Sequence, residues 1–203
     1  RRTSITKVTF TEYTYPQSLQ QWFNGCTNLT TVANANNLRT KNVTSMGSMF
    51  MSCPNLTSLD VSSWDTSRVS NMSYTFNMCS RLSTLTGIGS WDTGLVTNMG
   101  NMFQNCPALT SLNLNSWNTS NVTSMGSMFD GCSGLTSLSI SNWNTSKATS
   151  MANMFKSCAG LTSLNLSNWN TSGVTNMTSM FDGCSGLWDS WDSWDSLASW
   201  GSW

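Results

Sequence analysis

Seven cysteines are the residues best suited by type to do chemistry, as nucleophiles, metal ligands or disulfide partners. They stand at Cys26, Cys53, Cys79, Cys106, Cys132, Cys158 and Cys184, at intervals of 27, 26, 27, 26, 26 and 26 residues. Even spacing of this kind sets them out as a column, and no CxxC pair occurs. If one strand per interval stacks at about 4.7 to 4.9 Å, the thiols form a ladder rather than a tetrahedral metal cluster. Neighbouring rungs fall within the Cα separation of a disulfide, yet parallel side-chain directions oppose its geometry. The reading favours buried free thiols acting as small apolar residues, with some pairing and metal binding as weaker alternatives.

The other candidates are poorer still. Histidine is absent, which removes the commonest general base and the commonest zinc ligand. Asp65 and Asp92 occupy the repeat position held by Asn118, Asn144 and Asn170, a pattern expected of capping or turn residues and not of an acid/base pair. Asp130 and Asp182 lie in identical Asp-Gly-Cys turns far apart along the chain. Met46, Met72, Met99, Met125, Met151 and Met177 could be a soft-metal or binding stripe, but they share the apolar face of the phenylalanines and cysteines, so core packing is favoured. No catalytic residue, cofactor site or metal site is nominated, and the chain is read as a non-enzyme.

What positions these columns is a repeat. Three residues before each cysteine lies Phe23, Phe50, Phe76, Phe103, Phe129, Phe155 or Phe181, and three after it Leu29, Leu56, Leu82, Leu109, Leu135, Leu161 or Leu187. A fixed period of about 26 residues predicts a solenoid, whose units bury their apolar faces only against their neighbours. The expected organisation is one repeat domain over 1–203, with an N-terminal cap over 1–18, about seven repeats over 19–187 and a Trp-rich segment over 188–203.

Within a repeat the apolar spacing changes once. Val122, Met125, Met128, Phe129 and Cys132 recur every three to four residues, which predicts a short helix with Asn118, Thr119 and Ser120 as N-cap candidates. Leu135, Leu138 and Ile140 close to a spacing of two, as in a short strand. The expected strands are Leu56 to Val61, Leu109 to Leu114, Leu135 to Ile140 and Leu161 to Leu166. They would stack as a parallel β-sheet on one side of a right-handed coil, with short helices on the other: an α/β solenoid. Trp64, Trp91, Trp117, Trp143 and Trp169 each precede the next cysteine by 15 residues, so the extra residue of a 27-residue interval falls between cysteine and tryptophan. After Cys79 that segment holds Gly87 and Gly89, which predicts a bulge or a loosened strand end.

Leu161, Leu164 and Leu166 followed by Trp169, with Met177, Met180, Phe181 and Cys184, resemble the BspA-like leucine-rich repeats, a 26-residue repeat family of bacterial surface proteins. The resemblance covers about residues 19–187. It implies a leucine-rich-repeat-like fold, a surface-exposed or secreted location, and adhesion to host proteins or other cells. Trp here replaces a frequent phenylalanine of that pattern, and no cell-wall anchor signal is seen.

Charge narrows the partners. Only 9% of residues are charged and the formal net charge is zero, so nucleic acid and anionic membranes find no electrostatic footing. No apolar run is long enough to span a bilayer, and Arg1, Arg2, Thr3 and Ser4 do not begin a signal peptide, so a secreted form is expected to be a processed one. Sequons at Asn28, Asn42, Asn55, Asn121 and Asn176 follow from the repeat consensus itself.

The candidate binding face is the outward side of the strands: Ser58, Asp60, Ser111, Asn113, Ser137, Ser139, Ser163 and Asn165. It is polar, nearly uncharged and regular, which fits a solvated surface as well as a protein or glycan ligand, lateral packing of copies of this chain into a fibre or shell, or, as a minor alternative, ice. The second candidate is the C-terminal segment, where Trp188, Trp191, Trp194, Trp200 and Trp203 could cap the last coil or dock on a neighbour.

Overall fold

The computed structural model describes residues 2–188. Along them the repeats stack coil on coil, and each coil is hydrogen-bonded to its neighbours on two sides. On one side run short strands: β1 (Lys7–Thr9), β2 (Thr31–Ala33), β3 (Ser58–Asp60), β4 (Thr84–Thr86), β5 (Ser111–Asn113) and β6 (Ser137–Ser139). All pairings are parallel, as the alternation of elements requires. Leu59 lies opposite Leu85, and Leu112 opposite Leu138. Each strand is three residues long, shorter than expected from Leu56 to Val61 and its counterparts, and residues 161–166 carry no strand.

The sheet is also not continuous. It divides into three two-stranded sheets, β1–β2, β3–β4 and β5–β6. The breaks after β2 and after β4 follow the two 27-residue coils. In each, the extra residue is taken up between strand and corner by a 3₁₀ turn, Ala35–Asn37 or Ile88–Ser90, entered through a left-handed residue, Asn34 (φ 55°) or Gly87 (φ 82°). Glycine is required at 87, because a Cβ there would lie 2.3 Å from the Cα of Ser62. The loosened strand end expected at Gly87 and Gly89 is thus a turn that interrupts the ladder.

The other side corrects the helix expectation. Residues Met125 to Cys132 form no helix but a run of three overlapping turns, closed by the Met128 N–H on the Met125 carbonyl at 3.2 Å, the Asp130 N–H on the Ser127 carbonyl at 3.3 Å and the Cys132 N–H on the Phe129 carbonyl at 3.0 Å. The third residue of the first and of the last turn is left-handed, Ser127 (φ 54°) and Gly131 (φ 76°), which a right-handed helix excludes. Alternate N–H groups then point along the stack: Met125, Ser127, Phe129 and Gly131 donate to the carbonyls of Ser150, Ala152, Met154 and Lys156 at 2.8 to 3.1 Å. A helix would consume those donors within itself. Parallel bridges join Ser45, Asn71, Asn98, Ser124, Ser150 and Asn176 in one unbroken series. The helix among the described residues is α1 (Ser185–Trp188), at the end of the stack. The expected N-cap group serves a turn instead: Asn118 Oδ1 accepts the Ser120 N–H at 3.1 Å, and the buried Thr119 hydroxyl donates to the carbonyl of Asn144 one coil on.

Between the two sides lies the core, built of columns. Phe50, Phe76, Phe103, Phe129 and Phe155 are fully buried and stack with centroids 5.7 to 5.8 Å apart. Trp64, Trp91, Trp117, Trp143 and Trp169 form a second stack at 6.1 to 6.5 Å, at the corner where the strand side ends. Met46, Met72, Met99, Met125 and Met151 fill the space beside them, as the core reading expects, and Met177, near the end of the stack, is partly open.

Candidate functional site

All seven cysteines are free and buried, as the thiol-ladder reading expects, but they are more than small apolar fillers. The Cys132 thiol donates to the Phe103 carbonyl one coil back at 3.0 Å, and Cys53, Cys79, Cys106, Cys158 and Cys184 do the same to Phe23, Phe50, Phe76, Phe129 and Phe155 at 2.9 to 3.1 Å. A thiolate cannot donate, and burial disfavours its charge. Burial pushes Cys53 up to about 12 and Cys184 up to about 11, and raises Cys106 and Cys132 well above the ordinary thiol value. Such thiols are poor nucleophiles. Among the described residues no group of three or more Cys, Asp or Glu side chains gathers in a geometry that could hold a metal ion.

The carboxylates close turns. Asp65 Oδ1 accepts the Ser67 N–H at 3.0 Å, and Asp92 Oδ1 accepts the Gly94 N–H at 2.9 Å, the bond that Asn144 and Asn170 make in their own coils. Hydrogen bonds from Ser67 and from Ser62 hold Asp65 and Asp60 below the usual carboxylate range. Asp130 accepts from Gln104, and Asp182 pairs with Lys156 at 3.6 Å.

The outward strand face is where the fold offers a surface. Ser58, Asp60, Ser111, Asn113, Ser137, Ser163 and Asn165 are exposed and Ser139 is half-buried. Register places Ser111 beside Ser137 and Asn113 beside Ser139. Ser58 and Asp60 lie beside Thr84 and Thr86, on the far side of the β4–β5 break. Three of the polar side chains are already engaged locally: Asp60, Asn113 and Asn165 accept the N–H groups of Ser62, Asn115 and Ser167.

Among the described residues, two grooves open on this face. One, of about 550 Å³, lies at the β4–β5 break, lined by Leu85, Gly87, Ser90, Ser111, Leu112 and Asn113 among others. The second, of about 260 Å³, lies beyond β6 and includes Ser137, Ser139, Ser163 and Asn165; Asn115 borders both. No charged residue lines either groove. The outward-facing pattern marks the polar rim but misses the floor, Leu85 and Leu112, and the Gly87–Ser90 wall. The signal for that wall is the 27-residue interval itself. Trp191, Trp194, Trp200 and Trp203 lie outside the described residues, and Trp188 closes α1.

Among solved structures, the chain is similar to a leucine-rich repeat protein from Eubacterium ventriosum, at 18% identity over 89% of this chain and 43% of that one, with a TM-score of 0.55. It is also similar to a leucine-rich repeat protein of T. pallidum, at 17% identity over 98% of this chain and 72% of that one, TM-score 0.47. A leucine rich cell surface protein from Faecalibacterium prausnitzii is similar at 16% identity over 95% of this chain and 62% of that one, TM-score 0.37. The first of these establishes a leucine-rich-repeat-like fold, in keeping with the repeat pattern of the sequence, and the chain spans less than half the length of that protein. No curated protein matches the chain by sequence. Residues 17–133 and 108–199 match the model of the family described as "Mycoplasma protein of unknown function, DUF285", and with nearly its whole length so covered, the chain belongs to that family.

Proposed function

We propose that this chain is a right-handed solenoid that serves outside the cell or at its surface as a non-enzymatic recognition module, binding a protein or a glycan through the outward face of its strands in an adhesive role. The observation that carries the reading is the face itself: exposed, nearly uncharged, and opened by two grooves with no charged lining whose rims hold Ser111, Asn113, Ser137, Ser139, Ser163 and Asn165. The burial of every cysteine and the use of Asp60, Asp65 and Asp92 in turns support a non-enzymatic role. The surface location rests on the resemblance of the Leu161, Leu164, Leu166, Trp169, Met177, Met180, Phe181 and Cys184 pattern to a repeat family of bacterial surface proteins. Gel filtration with light scattering tests it. A monomer at micromolar concentration agrees with recognition, whereas filaments or large closed particles favour the second reading, a building block of a fibre or shell. That reading draws on the Trp-rich segment at 188–203, whose removal would then abolish assembly.

A further inference from the structure

We propose that the β4–β5 break is a docking slot for an uncharged, extended peptide of a partner protein, which enters as the missing strand and joins the two open edges. The inference rests on the recognition reading and assigns that role a place and a chemistry. β4 is paired only with β3, and β5 only with β6. Neighbouring residues of a parallel strand turn their N–H and C=O groups to opposite neighbours. Thr86 accepts from Val61 of the preceding coil, so Leu85, next to it, turns its groups toward β5. Thr110 and Leu114 bond with the following coil, so Ser111 and Asn113 turn theirs toward β4; the Asn113 carbonyl already lies against Gly89, whose own carbonyl accepts from Ser116, so the open groups of this edge are those of Ser111 and the Asn113 N–H.

Width supports one occupant. Most Cα pairs between β4 and β5 are more than 8 Å apart. Directly paired strands at about 4.8 Å bring nearly all such pairs inside that distance, so β4 and β5 stand apart by more than one normal spacing. The opposite side of the same coils keeps its bridges, Asn71 to Asn98 and Asn98 to Ser124, so the opening is confined to the strand side. Leu85 and Leu112 form an apolar floor, Ser90, Ser111 and Asn113 a neutral rim, and Gly87 and Gly89 leave one wall without side chains. A segment with a central apolar residue flanked by small polar ones fits this lining, with main-chain bonds supplying affinity and the floor supplying selectivity. A linear glycan lacks the alternating donors and acceptors that two parallel edges present.

The probe is a capped synthetic peptide, Leu-Thr-Ser-Leu-Ser-Ile-Ser, the sequence of residues 135–141, which makes such a rung one coil further on. Amide hydrogen exchange is followed residue by residue by NMR. The expected result is fast exchange at Leu85, Ser111 and Asn113 in the free protein, slowed saturably by roughly tenfold or more with peptide. Deleting Gly87 makes the segment Leu-Ser-Thr-Leu-Thr-Ile-Gly-Ser-Trp, which matches the spacing of Leu109 to Trp117. In that variant the three amides should be protected without peptide, and peptide should add nothing. Asn113→Pro provides the second test, because it removes one donor on the slot side and leaves the bonds to β6 in place. It should weaken peptide binding by roughly tenfold. No protection in the native chain, protection elsewhere, or unaltered binding by the variants overturns the proposal. So does chitohexaose shifting the groove resonances where the peptide does not. A monomer whose slot amides ignore the peptide loses this inference alone, whereas filaments would remove the recognition reading beneath it.

Discussion

The indole N–H of Trp117 reaches the carbonyl oxygen of Ile88, one coil back, at 3.0 Å, and Trp64, Trp143 and Trp169 make the same bond to Ala35, Leu114 and Ile140. Trp91 stands in the same stack, 6.5 Å from Trp117 and nearly parallel to it, yet its buried N–H has no partner among the described residues. Trp91 follows the inserted 3₁₀ turn directly, so the extra residue that splits the sheet also displaces its indole from the rung below.

That difference separates two otherwise equivalent substitutions. Trp117→Phe leaves the Ile88 carbonyl without its indole donor and should cost about 1 to 3 kcal/mol beyond the lost packing. Trp91→Phe removes an unsatisfied group and should cost about 1 to 2 kcal/mol less than Trp117→Phe. Urea unfolding of the two variants provides the comparison, and equal losses would show that the missing bond carries no energy.

Phe129 stacks between Phe103 and Phe155 at 5.7 Å on either side, with Trp143 at 6.4 Å. Phe129→Ala should therefore cost about 3 to 5 kcal/mol, the usual range for emptying a well-packed aromatic site. Ser137→Ala, on the exposed rung, should stay within about 0.5 kcal/mol. Denaturant midpoints report both, and a near-neutral Phe129→Ala would contradict the core assignment.

The buried thiols should label slowly with a maleimide in native buffer and completely in denaturant, and a reductant should not lower the melting temperature, since all seven are free. Cys132→Ala removes the donor to the Phe103 carbonyl and should destabilise by about 1 to 3 kcal/mol. Rapid labelling of the central cysteines without unfolding would refute the burial.

Stability should fall in alkali. The folded thiols hold their protons well above the ordinary value of 9.0, because burial disfavours thiolate. Above pH 9 the unfolded chain therefore releases protons that the folded chain keeps, and the unfolded state gains. The contribution is whole below pH 9 and declines through the folded value, about 12 for Cys53. Melting temperature against pH between 7 and 11 should bend downward near 9. Replacing Cys106 and Cys132 with alanine should flatten that bend even though it lowers the starting value.

Read by itself, the sequence determined the columns. Residues at one repeat position must stack when a fixed period winds the chain, so the phenylalanine, cysteine and tryptophan ladders, the parallel strands and the location of the inserted residues were all legible. Asp65 and Asp92 as turn residues were legible too, because asparagine replaces them in the later coils.

Only the tertiary structure decided what lies opposite the strands. Apolar residues three and four apart face one way both on a helix and along a run of turns, so Met125, Met128, Phe129 and Cys132 cannot distinguish them. The choice falls to the left-handed residues Ser127 and Gly131 and to donors that find carbonyls in the next coil, a bond with no trace in local spacing. Glycine at 25, 131 and 183, all one repeat position, was the one local sign of that geometry. The division of the sheet was equally hidden. A single extra residue could have looped into solvent; that it became a 3₁₀ turn, separated β4 from β5 and left Trp91 without a partner depends on how neighbouring coils pack against each other.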